Sequence, residues 1–257
     1  MNSALGATIE DQVVGALNVN RSVWDPDGAY ALFSFVRQPQ TFPDVVLRDP
    51  GAEPTIIMGI ELKGWYLLSK EGEPSFRYTV TPGACAPADL LVVVPWALRN
   101  VLSGKPRAFD PYVIPARHAA ELRNHHWAHK RKTEGDPGIR PPAGPIRPYP
   151  AKTDQISDVP AYDRGGNFGR YARTGIMDEY LEATLSKAVC GIPGKAWLDF
   201  FRIFTESSGE ANIRKRIEGL RKRFGGSAAP ADQGEIQAFR EILEIIEATI
   251  SSGGRSN

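Results

Sequence analysis

Residues 43–64 constrain this chain more than any other stretch. Pro43-Asp44 opens a short apolar run, Val45-Val46-Leu47, and Asp49-Pro50-Gly51 follows with the composition of a turn. Thr55-Ile56-Ile57-Met58 then starts a returning run that closes on Gly59-Ile60-Glu61-Leu62-Lys63-Gly64. Two apolar runs of strand length on either side of a Pro/Gly turn predict a β-hairpin. Side chains alternate faces along a strand, so Glu61 and Lys63 share one side while Ile60 and Leu62 face the other way into a core. Asp44 leads the partner strand, which brings two acids and a lysine to one sheet edge. Asp49 is the rival for the first acid, but it lies five residues beyond Asp44. That odd separation along a strand turns it to the opposite face.

Two carboxylates within a few ångströms of each other repel, and one has its pKa raised unless a cation neutralises the pair. A divalent metal does that. The donors on offer, Asp44, Glu61 and the backbone carbonyl of Leu62, are hard oxygens, which suit Mg2+, with Mn2+ as a substitute, better than zinc.

The pattern Pro43-Asp44, then sixteen residues, then Glu61-Leu62-Lys63 resembles the PD-(D/E)xK nuclease superfamily. The resemblance covers roughly residues 5–100. It implies an α/β (α+β) fold, a restriction-endonuclease-like core of a mixed, hairpin-containing sheet flanked by helices, with the remaining chain as a C-terminal helical annex. It also implies a metal held by Asp44, Glu61 and the Leu62 carbonyl, which stabilises charge on a phosphodiester and lowers the pKa of a bound water. Lys63 then orients that water or stabilises the hydroxide it becomes. In that family the first helix often carries a further acid beside the metals, and Glu10 fits the place. Leu5, Ile9, Val13 and Leu17 fall at helical spacing and leave Glu10 on a flank. A solvated helix acid is the alternative for Glu10.

One feature departs from the family pattern. A third strand is expected over Phe76-Arg77-Tyr78-Thr79-Val80, and only the loop 81–87 separates it from the buried run Leu90–Val94. A parallel crossover needs about a dozen residues or more, usually with a helix. Either Leu90–Val94 pairs antiparallel, or it is not the family's usual next strand.

At 257 residues and 42% hydrophobic content, the chain can bury a full core. Its net charge of +1 announces no nucleic-acid partner, so any basic surface must come from local clustering. Cys85 and Cys190 are the only cysteines, which fits a reducing cytoplasm without a disulfide framework. The longest apolar run, Leu90–Leu98, is interrupted by Pro95 and is too short to span a bilayer. Neither export nor a membrane partner is expected. The chain reads as a nuclease core over 1–132, a Pro/Gly-rich loop over 133–160, and a helical region over 161–257 for DNA recognition or dimerisation. The core is expected to end in a helix from Ala116 to Arg131. In the last region helical patterns run over roughly 167–189, 194–206 and 211–224, and Ile236, Phe239, Leu243, Ile246 and Ile250 form the stripe of a final helix.

Three stretches carry concentrated positive charge. All four histidines fall between His118 and His129, and Arg123, Asn124, His125, Lys130 and Arg131 are candidates for phosphate contacts. His125 and His129, at i,i+4, could instead share a zinc ion, but no Cys pair or nearby acid completes a tetrahedral set. A solvated helix end complementing the dipole is the plain alternative. The second stretch, 165–175, is rich in glycine but lacks the Gly-Lys-Ser/Thr ending of a nucleotide-binding loop, so no nucleotide cofactor is implied. Placed at a helix start, Asn167, Arg170 and Arg173 are candidates to read bases, since Arg pairs bidentately with guanine and Asn with adenine. Ion pairs with Asp178 or Glu179 are the structural alternative. The third stretch, Arg214–Arg216 and Arg221–Arg223, interleaves with apolar residues and reads as an amphipathic surface helix.

The function expected from the sequence is that of an Mg2+-dependent endodeoxyribonuclease resembling a type II restriction enzyme, cutting double-stranded DNA at a short specific site as a homodimer. A repair or recombination nuclease that recognises DNA structure shares the same acids and lysine. A non-catalytic DNA-binding protein with a structural acidic pair is the reading from another class.

Overall fold

A computed structural model describes residues 2–131, 135–163 and 167–205, with isolated positions beyond. In chain order the elements are α1 (Asn2–Val19), α2 (Arg21–Trp24), β1 (Ser34–Arg37), β2 (Val45–Arg48), β3 (Ile56–Tyr66), β4 (Leu90–Leu98), β5 (Pro106–Ala108) and β6 (Tyr112–Pro115). There follow α3 (Ala116–His125), β7 (Ile139–Arg140), β8 (Val159–Pro160), α4 (Asp178–Leu185), β9 (Ala188–Val189), β10 (Ile192–Pro193) and α5 (Gly194–Thr205). A mixed sheet of six strands runs β1-β2-β3-β4-β5, with β6 also paired to β4.

By internal contacts the chain forms two compact units assembled from interleaved segments. One comprises residues 1–65, 74–95 and 110–178; the other comprises 66–73, 96–109 and 179–257. In the first unit β1, β2 and β3 make an antiparallel meander in which Val45 faces Ile60 and Val46 faces Gly59. Phe35, Val45, Leu47, Ile60 and Leu62 build the core on one face of this meander, and Val13, Val14 and Leu17 of α1 pack against it. The apolar spacing of α1 thus does what it predicts. Asn18 fastens the helix end to β1: its amide donates to the Phe35 carbonyl and its carbonyl accepts the Phe35 N–H, both at 2.9 Å. That side chain satisfies backbone groups on a strand that has no further neighbour in the sheet among the described residues.

The expected third strand over 76–80 does not form. Those residues are extended, with an isolated bridge from Val80 to Ser157, the Tyr78 N–H donating to the Gly169 carbonyl and the Thr79 carbonyl accepting from the Asp158 N–H. The connection from β3 to β4 is therefore the whole of 67–89, long enough for the crossover that parallel strands require. The parallel sense shows at both ends of the pair. Near the start, the Gly59 N–H reaches Asp89, the residue preceding β4, at 2.6 Å. Near the finish, the Leu67 N–H donates to the Trp96 carbonyl at 3.0 Å. Short β-propensity is a poor guide at 76–80 because its backbone groups are taken by the Gly169 carbonyl, the Asp158 N–H and the Arg123 side chain and not by a strand of the sheet.

The helix expected over 167–189 is also shorter than its pattern. Gly169 and Gly175 adopt left-handed φ of 77° and 79°, which confines the first part to a 3-10 turn at Tyr171–Thr174 before α4 begins. Arg170 accordingly precedes a 3-10 turn and Arg173 lies within it, not at a helix start. The helix expected over 194–206 matches α5, and the one over 116–131 is α3 continued by a π turn at His126–Lys130. The patterns over 211–224 and around Ile236–Ile250 lie outside the described residues, isolated positions apart.

Gly59 has no room for a side chain. A Cβ there would run into the Pro43 ring and lie 2.9 Å from Asp89 Oδ1. Pro43 is thereby seated against β3, with Asp44 beside Glu61. Gly59→Ala is expected to destabilise the protein by roughly 1–3 kcal/mol in chemical denaturation. Gly15→Ala, at an open helical position with nothing within 4 Å, is expected to stabilise it by about 0.5–1 kcal/mol.

Candidate functional site

Continuing the β2–β3 register by one residue beyond Val45–Ile60 sets Asp44 opposite Glu61 on the same face. The Leu62 N–H donates to Asp44 Oδ2 at 2.8 Å, so the side chain of Asp44 takes the place that strand backbone would occupy one residue further along. Lys63 Nζ completes the group, 2.5 Å from Glu61 Oε1 and 3.8 Å from Asp44 Oδ2. The three side chains keep exposures of 23% for Asp44, 11% for Glu61 and 22% for Lys63, so the cluster is sunken but reachable. Asp49 is elsewhere, as the alternation requires: its Oδ1 accepts the Gly51 and Thr55 N–H groups at 3.1 and 3.2 Å and closes the hairpin turn.

Burial dominates the electrostatics. It raises the Glu61 pKa to about 7, with the Asp44 charge adding to the rise and Lys63 opposing it. Asp44 is also raised by burial, against the pull of Lys63 and of the Leu62 N–H. For Lys63 burial acts downward, but the Glu61 and Asp44 carboxylates outweigh it and its pKa ends above the ordinary value. The lysine is therefore a firm cation and not a base at neutral pH. One ammonium between two sunken carboxylates leaves negative charge that the protein itself does not fully neutralise.

That imbalance fits a divalent cation. Asp44 and Glu61 supply hard carboxylate oxygens, and the Leu62 carbonyl emerges on the strand edge where its N–H meets Asp44, since both groups of an extended residue point to one side. Among the described residues no three His, Cys, Asp or Glu side chains converge on a common point. A soft or closed tetrahedral centre is thus not what the donors make, whereas an ion that keeps several waters or substrate oxygens needs only one or two carboxylates. Glu10 does not join the pair. Its carboxylate is taken by Arg37 Nε at 2.5 Å on β1, and it acts on Asp44 only through its charge. The salt bridge pairs Glu10 on α1 with β1 and identifies Arg37 as a site neighbour that no motif marked.

The basic stretches fare unevenly. Arg123 is 1% exposed and holds Asp158 Oδ2 at 2.6 Å and the Tyr78 and Val80 carbonyls at 2.7 and 3.0 Å. Asn124 donates to the same Asp158 at 3.0 Å and accepts from Arg123. Arg123, expected at phosphate, is instead a buried clamp on the extended segment 78–80, with Asn124 half-buried beside it. Burial could not be read from their spacing, because Asp158, the acid that balances Arg123, lies far along the chain. His125 is exposed and stacks on His129 with ring centroids 4.9 Å apart. Lys130 is exposed, while Arg131 lies 4.0 Å over the Trp127 ring and donates to the Tyr162 and Asp136 carbonyls. Asn167 does not cap a helix; its carbonyl oxygen Oδ1 accepts from Arg173 at 3.3 Å. Arg170 donates to the Ser75 carbonyl at 2.8 Å.

No helix among the described residues is long and apolar enough to cross a membrane. Comparison with protein-family models, with curated proteins and with solved structures finds no match.

Three outcomes follow for variants of these residues. The Glu61 pKa lies above its ordinary 4.5, so folding favours the protonated acid: the stabilisation is full below that value and disappears as pH rises through about 7. Glu61→Gln should therefore gain roughly 1–3 kcal/mol over the wild type at pH 8 without divalent ions, and little at pH 4; thermal melts across pH measure it. Arg123→Met should cost about 3–5 kcal/mol, because it strands the buried Asp158 carboxylate. Lys130→Met, at an exposed position, should leave the melt unchanged within about 0.5 kcal/mol.

Proposed function

We propose that the protein is an Mg2+-dependent endodeoxyribonuclease of the PD-(D/E)xK type, acting on double-stranded DNA in the manner of a type II restriction enzyme. The observation that carries this reading is the pairing of Asp44 with Glu61 across β2 and β3, with Lys63 bridging both. An acidic pair placed merely for stability gains nothing from such burial, which costs more than Lys63 returns at Glu61. A functional site accepts that cost. The parallel β3–β4 pair beside the meander also agrees with the mixed sheet implied by the family pattern.

In this proposal Asp44, Glu61 and the Leu62 carbonyl hold the cation. Bound there, Mg2+ supplies Lewis-acid stabilisation of the phosphodiester and acidifies a coordinated water. Lys63 stays protonated, donates to the attacking water or a phosphate oxygen, and fixes the Glu61 carboxylate so that it meets the cation in one orientation. Arg37 and Glu10 neutralise each other beside Asp44, which keeps a third free anion away from an incoming phosphate. A twofold dimer would supply one such centre per DNA strand and match a palindromic site.

Incubation of the purified chain with supercoiled plasmid and Mg2+ tests the reading. Discrete fragments with a common end sequence are expected. Smears or structure-selective nicks identify a nuclease that recognises DNA shape, and intact plasmid with retained DNA binding identifies a non-catalytic binder. Asp44→Asn and Glu61→Gln should lower cleavage at least about a thousandfold, while DNA affinity holds or rises because a negative charge facing phosphate is gone. Lys63→Ala should be similarly inactive yet folded by circular dichroism; full activity in any of the three removes the proposed site.

A further inference from the structure

Two basic segments far apart in sequence, the π turn after α3 and the glycine-rich stretch before α4, line one pocket of about 440 Å³. Lys130 and Arg131 come from the first, Arg170 and Arg173 from the second, and no acid is among the described lining residues. Arg123 lines it as well, but its charge is already answered by Asp158. Among the described residues neither Lys130, Arg131 nor Arg170 has a carboxylate partner; the bonds of Arg131 and Arg170 go to neutral carbonyls. Lys130, Arg131 and Arg170 share a lining with no acid among its described residues, so they repel one another, and the fold keeps them together.

The wall also carries polar atoms that the protein does not satisfy. His126 Nδ1, Trp127 Nε1 and Arg170 Nε are buried without a hydrogen-bond partner among the described residues, and Trp127 is only 7% exposed. An indole N–H and a guanidinium N–H can only donate. Buried donors without acceptors are costly and rare, so the Trp127 and Arg170 N–H groups, on two residues that line one cavity, call for an acceptor-rich occupant.

We propose that this pocket binds a phosphate group, either a free phosphate or phosphomonoester or a phosphate of a nucleic-acid strand. A phosphate offers several strong acceptor oxygens and a charge that Arg pairs with bidentately. The pocket's volume exceeds the phosphate itself and leaves space for an attached sugar-sized group. The proposal stands apart from the nuclease reading, since it uses none of Asp44, Glu61 or Lys63. It assigns Arg170 and Arg173 to phosphate and not to base edges.

Calorimetric titration of the full chain with inorganic phosphate should show saturable binding. Arg173→Glu and Lys130→Glu, both at exposed positions, should each weaken it at least about tenfold with an unchanged melting temperature. Arg117→Ala, an exposed basic residue paired with Glu121 and outside the pocket, should bind as the wild type does. Glu61→Gln should also bind normally, so a chain that fails to cut plasmid can still satisfy this test. Displacement of phosphate by a short duplex assigns the group to a nucleic-acid strand; co-occupancy assigns it to a free phosphate. Absence of saturable phosphate binding, or equal binding by the wild type and both reversal variants, overturns the proposal.

Discussion

The register between β2 and β3 is the constraint on which the rest of the molecule depends. Val45 opposite Ile60 commits one face to the core beneath α1, and the same pairing commits Asp44 and Glu61 to the other. A slip of one residue would exchange the two sets, burying charge under α1 and exposing the aliphatic cluster. Gly59 guards against such a slip. Its missing side chain admits Pro43 and Asp89, and the Asp89 carboxylate accepts its N–H, so that a single position is locked from both neighbouring strands.

Charge burial is the second organising force, and it is handled differently in two places. Arg123 and Asp158 form a pair in which each side chain is 2% exposed, and carbonyls and Asn124 satisfy the remaining donors. Such a clamp adds little net stability over an apolar substitute, but it is costly to break from one side. It therefore pins the extended segment 78–80 to α3 without needing a strand there. Asp44, Glu61 and Lys63 are left unbalanced instead, two acids against one base, with burial pushing Glu61 toward neutrality. A complete network rigidifies; an incomplete one is poised for a ligand.

The same contrast separates the cationic residues. Arg123 is answered by Asp158, whereas Lys130, Arg131 and Arg170 gather around a pocket with no carboxylate among its described lining residues. A chain with net charge of only +1 thus holds one site short of positive charge and one short of negative charge within a single compact unit. Bulk charge is blind to this arrangement, because opposite local excesses cancel in the sum.

The hairpin, the faces of Glu61, Lys63, Ile60 and Leu62, the first helix and α5 were legible in the sequence, because alternation, helical spacing and turn residues act over a few neighbours. The direction of β4 was not. It turned on whether 76–80 joins the sheet, and that is decided by partners distant in sequence, Arg123, Ser157, Asp158 and Gly169. Spacing likewise presented Arg123, Asn124, Arg170 and Arg173 as one kind of residue. Only the fold distinguished the arginine buried against Asp158 from those that close a pocket, and only the fold gave Glu10 to Arg37. Partners distant in sequence meet through packing, so the sequence by itself determined which groups stand on which face of each element, while the tertiary structure decided which charges are answered and which are left open.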